Sequence, residues 1–91
     1  MIGVPIVQSA LPDVGDPGDR FTVTVKGDAL TGVTRCDFGE GVICQVLAVV
    51  DDGTVRVKVS ISSEAVSGPR DVILANLAGV SGRLSSGFAV L

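Results

Sequence analysis

The sequence contains no histidine, no tryptophan and no tyrosine, and each absence removes a class of function. Without histidine the commonest general base and metal ligand is missing, and imidazole-dependent nucleophilic triads are excluded. Without tryptophan or tyrosine there is no flat apolar ring with a polar edge, the usual platform for carbohydrate. Carbohydrate is thereby disfavoured as a partner, with polar loops as a route that stays open. Two cysteines are too few for a zinc site built from thiolates. No apolar run approaches the ~18–20 residues that span a bilayer. Met1-Ile2-Gly3-Val4-Pro5 has neither a charged leader nor a long apolar core of the secretory type. Ten acids outweigh seven bases, for a net charge of −3. The bases Arg20, Lys26, Arg35, Arg56, Lys58, Arg70 and Arg83 are scattered along the chain. Nucleic-acid and membrane surfaces call for clustered Lys and Arg, so the sequence predicts neither as a partner.

What is present is strand-forming material. Ninety-one residues are one domain's worth of chain, residues 1–91. Hydrophobic residues make up 46% of it, mostly Val, Ile, Leu and Ala, and β-branched side chains pack well on a pleated surface. Phe21, Val23 and Val25 alternate with Thr22, Thr24 and Lys26. Val55, Val57, Val59 and Ile61 alternate with Arg56, Lys58 and Ser60. A period of two buries one face of a strand and wets the other. Turn signals such as Gly15-Asp16-Pro17-Gly18, Phe38-Gly39-Glu40-Gly41, Asp51-Asp52-Gly53 and Ser67-Gly68-Pro69 separate such runs at near-regular spacing. That rhythm predicts an all-β sandwich of about seven antiparallel strands. Val4 to Ala10 reads as an edge strand, because Pro5 cannot donate to a ladder. Val33–Phe38 and Val42–Val50 read as a hairpin around Gly39-Glu40-Gly41. Arg70–Leu77 and Leu84–Leu91 read as a closing pair with Val72, Leu74, Phe88 and Val90 inward. Gly27 and Gly39 are expected at strand ends with φ > 0, and Asn76 as a local hydrogen-bonding terminator.

One family shares this order of signals. Gly18 precedes Phe21-Thr22-Val23-Thr24-Val25-Lys26-Gly27, followed by Leu30-Thr31-Gly32-Val33-Thr34 and Cys36-Asp37-Phe38-Gly39. Asp52-Gly53-Thr54-Val55-Arg56-Val57-Lys58-Val59, Gly68-Pro69-Arg70-Asp71-Val72 with Asn76, and Gly87-Phe88-Ala89-Val90 complete the series. From Pro5 to Leu91 the chain resembles an IPT/TIG domain, an immunoglobulin-like module. The resemblance implies Greek-key connections, no enzymatic activity and no cofactor. It names no ligand, since fold does not dictate function.

Candidate sites each carry two readings. A turn symmetric about Glu40 sets Cys36 opposite Cys44, close enough for a strained disulfide; the other reading is two small apolar core side chains. Asp13, Asp16 and Asp19, with Asp51 and Asp52, supply oxygens of the kind calcium takes, but Asp is equally a turn residue. Val46-Leu47-Ala48-Val49-Val50 is apolar on both faces, so either a bulge returns Leu47 and Val49 to the core or something covers the outer side. The second reading gives a protein-contact face of Ile43, Leu47, Ile73 and Ala75, on which Ile73→Asp weakens association and spares the fold.

The expected function is therefore a non-catalytic module that mediates protein contact or spacing, in a larger or self-assembling protein. The resemblance points to a bacterial surface protein, with an accessory domain of a glycan-processing enzyme as the alternative. A dimerising module beside a DNA-binding domain is the remote third. A domain excised from a longer chain belongs outside the cell or in the envelope; a complete chain belongs in the cytoplasm.

Overall fold

Strict alternation of apolar and polar residues builds the centre of the molecule. In the computed structural model, which describes residues 4–91, Val23, Val25, Val55, Val57, Val59 and Ile61 are all buried. Arg56 and Lys58 are exposed between them. The chain forms eight strands: β1 (Ile6–Leu11), β2 (Val14–Gly15), β3 (Arg20–Asp28), β4 (Val33–Asp37), β5 (Val42–Asp51), β6 (Thr54–Ile61), β7 (Gly68–Asn76) and β8 (Ser81–Val90). No helix is present among the described residues. The strands make two four-stranded sheets, in the orders β1-β3-β6-β5 and β2-β8-β7-β4. Their inner faces share one core, to which the second sheet contributes Val72, Leu74, Phe88 and Val90. Phe88 sits at its centre, 6.0 Å from the Phe21 ring and 5.4 Å, edge-on, from that of Phe38.

Two features depart from the sequence-based expectation. The additional strand is β2, which pairs parallel with β8 through Val14–Ala89 and Gly15–Val90. It has only two residues, too few for a periodic signal, so the opening segment begins in one sheet and ends in the other. Val33–Phe38 and Val42–Val50 do not form a hairpin. β4 pairs with β7, and β5 pairs with β6. Between them Phe38 is fully buried against Phe88, while Gly39 and Gly41 take φ of 84° and 79°. An inserted aromatic followed by two left-handed glycines carries the chain from sheet to sheet rather than doubling it back.

The two sides of the molecule are closed differently. On the β1 side the carbonyls of Pro5 and Ile6 run close between the sheets. A Cβ on Gly82 of β8 would lie 2.0 Å from the Pro5 oxygen, and one on Gly27 of β3 would lie 1.8 Å from the Ile6 oxygen. Gly27 is thus required by close backbone approach and not by positive φ, unlike Gly39. On the opposite side β4 and β5 are the outer strands of their sheets. Asn76 ends β7 as expected, its buried Oδ1 accepting from the amides of Ala78 and Val80 at 3.0 and 3.1 Å.

Candidate functional site

Cys36 on β4 and Cys44 on β5 meet in spite of the lost hairpin. Cys36 lies opposite Leu74, and Cys44 opposite Val59, so both side chains point inward from facing sheet edges. They are half-buried free thiols, and with Thr34, Arg35, Gln45 and Val46 they line a hollow of about 420 Å³ on the open side. A hydrogen bond to Cys44, then burial and the charge of a neighbouring thiolate, hold the Cys36 thiol far above its ordinary range. The same hydrogen bond lowers Cys44, against the opposing pull of burial. The two sulfurs titrate as a pair, in which one ionisation is favoured by the shared hydrogen bond and the second is opposed by the charge of the first.

β5 carries the largest exposed apolar side chains of this edge. Ile43 is 75% exposed, Leu47 50% and Val50 54%. The register slips at Leu47 and again at Val50, so each is an extra residue that leaves the ladder. Val49 returns to the core beside Val55, but Leu47 does not. Ile73 and Ala75 are on β7, in the other sheet, where they are half-buried and line a hollow with Arg35 and Asp37. The four residues of the expected contact face are thus split between two layers.

The aspartates bind backbone and hydroxyl groups. Asp19 accepts from the Asp16 amide at 3.0 Å, Asp51 from the Gly53 amide at 2.8 Å and Asp37 from the Gly39 amide at 2.7 Å. The Thr31 hydroxyl donates to Asp52 at 2.6 Å and lowers that carboxyl. No group of three side chains able to hold a metal converges among the described residues.

One structural residue carries no sequence signal. Arg70 borders a hollow of about 670 Å³ with Glu40, Ser62 and Glu64. Its guanidinium donates to the carbonyls of Glu40, Val66, Gly68 and Pro69. It ties two loops together, and those bonds occupy the fork that would otherwise take a ligand.

No known family model matches the chain, and no curated protein matches it either.

Proposed function

We propose that the chain is a non-catalytic immunoglobulin-like module of IPT/TIG type, which makes protein contacts and spaces its neighbours within a larger or self-assembling, surface-associated protein. The single observation that carries this reading is the apolar edge strand β5. Ile43 and Leu47 are at least half exposed on a ten-residue strand whose outer edge has no neighbour in its sheet. The bulges at Leu47 and Val50 interrupt the edge ladder, so contact with another chain is made through these apolar side chains.

The strand order supports the fold assignment. Lettered in chain order with β1 and β2 as one interrupted strand A, the sheets read A-B-E-D and A-G-F-C, the arrangement of constant-type immunoglobulin domains with a split first strand. The ends support the spacing role. Pro5 lies against Gly82 at the start of β8, whereas the Leu91 amide donates to the Gly15 carbonyl beyond its end. Entry and exit are thus separated by nearly the length of β8, roughly 25 Å, within a body 40 Å long.

Sedimentation velocity over a concentration series, together with capture of the flanking domains of the parent protein, tests the reading. Wild type is expected to associate, and Ile43→Asp combined with Leu47→Asp to abolish this with the circular-dichroism spectrum unchanged. Ile73→Asp asks the same of the other sheet. A wild-type chain that is monomeric throughout and captures nothing contradicts the proposal.

A further inference from the structure

The seven bases that look dispersed along the sequence are not dispersed on the fold. Four of them, Arg20 and Lys26 on β3 and Arg56 and Lys58 on β6, occupy the outer face of one sheet. Register places Arg20 opposite Ser60, Thr22 opposite Lys58, Thr24 opposite Arg56 and Lys26 opposite Thr54. Directly opposed residues of an antiparallel pair project from the same face. Each of four successive rungs therefore pairs one cation with one hydroxyl. Rungs on this face recur every two residues, about 7 Å apart, so the ladder runs about 20 Å.

The cations are available. All four are exposed, and the ion pair found among the described residues, Arg83 with Asp71, belongs to the other sheet. Lys26 alone has a side-chain partner, donating to Thr54 at 2.9 Å. The acids nearest the ladder's ends are engaged locally: Asp19 with the Asp16 amide, Asp28 with Gln8 and Asp51 with the Gly53 amide. A chain of net charge −3 has thus kept acids off the middle of one sheet face and set bases there at regular intervals.

We infer that this face binds a linear acidic polysaccharide, its carboxylates meeting Arg20, Lys58, Arg56 and Lys26 in turn and its hydroxyls meeting Ser60, Thr22 and Thr24, while buried Thr54 holds the Lys26 ammonium in place. Charge complementarity and the even spacing select an extended polyanion. The accessible hydroxyl in three of the four rungs selects one rich in hydroxyl groups. Single-stranded nucleic acid needs exposed aromatic rings on which bases stack, and Phe38 and Phe88 are buried while Phe21 is packed against the core. Recognition here needs no aromatic platform, because charge and hydrogen bonds do the work that ring stacking does for neutral sugars. Ile43 lies opposite Ser60, so this surface adjoins the β5 contact proposed above on the same outer face; the inference does not rest on that contact and is tested without reference to association.

The probe is polygalacturonate, titrated into the whole chain at low ionic strength, with dextran and oligothymidylate as comparators. Binding is expected for polygalacturonate alone, fading as salt rises through the screening range. Arg56→Thr and Lys58→Thr should each weaken it about fivefold, and together more than tenfold. Arg83→Thr makes the same change of net charge on the other sheet and should leave binding intact. Thermal melts should be unchanged in all three, since these side chains are exposed strand residues replaced by a strand former. No binding at low salt, equal loss in Arg83→Thr, or oligothymidylate bound as tightly would each overturn the inference.

Discussion

The two long sides of the sandwich are held in opposite ways. On the β1 side the backbone itself crosses between the layers, with Pro5 and Ile6 wedged against Gly82 and Gly27, and the next segment joins the second sheet as β2. On the β4–β5 side the chain crosses between the layers only at one end, through residues 38–41; along the facing strands lie two thiols and a hollow, and β5 turns Ile43 and Leu47 to solvent. The difference teaches where tolerance to change resides. A side closed by main chain is committed to structure, because any added atom collides with a carbonyl. A side closed by small side chains can be altered, bridged or covered with little strain, and it is the side available for function.

The sharpest way to break this contrast is to add a side chain on each side. Gly82→Val should lower stability by about 3 kcal/mol or more, since its Cβ has nowhere to go. Ala48→Val on the exposed outer face of β5 should change it by less than about 0.5 kcal/mol. Urea unfolding midpoints check both, and equal effects would erase the distinction. Next in size is bridging the open side. Glutathione disulfide should convert Cys36 and Cys44 to a disulfide with release of two glutathione thiols, and raise stability by about 2 kcal/mol for so short a loop. Mass spectrometry reads the loss of two hydrogens, and the urea midpoint reads the gain.

A smaller effect separates the two thiols. Iodoacetamide should modify one thiol of the pair well before the other, because the thiolate is the nucleophile and the shared hydrogen bond favours a single ionisation. Peptide mapping after brief exposure decides which sulfur is labelled first. The smallest effect belongs to Asp52, whose carboxyl is lowered by Thr31. A carboxyl lowered on folding stabilises above its unfolded pKa, about 3.9, and that contribution fades as pH falls through the folded value. Thr31→Ala should therefore lower the melting temperature slightly near neutrality, with the deficit shrinking as pH falls below the unfolded value, so that the acid limb of the profile flattens.

How legible these features were in the sequence depended on the distance over which each is determined. β3 and β6 could be read directly, since alternation within one strand reports its own two faces. The inward set Val72, Leu74, Phe88 and Val90 was legible for the same reason. The β4–β5 connection was not, because Gly39-Glu40-Gly41 suits a hairpin and a crossing equally; the deciding fact is that Phe38 packs on Phe88, fifty residues further on. Gly27 was placed for the wrong reason, since the carbonyl that requires it belongs to Ile6. The contact face failed as a single patch because alternation assigns Ile43 and Ile73 to outer faces without saying that they belong to different sheets. The basic ladder was invisible for a related reason. Its rungs join residues up to forty positions apart, and only the β3–β6 register brings them together.

Residue-resolved amide hydrogen exchange on the native protein tests the contrast between the two sides most directly. The account predicts that amides of Gly27 and its β3 neighbours exchange only through global unfolding, whereas those on the unpaired edge of β5, Ile43 to Val50, exchange through local opening orders of magnitude sooner. Protection that is uniform around the sandwich, or loss of the β1 side before β5, would contradict it.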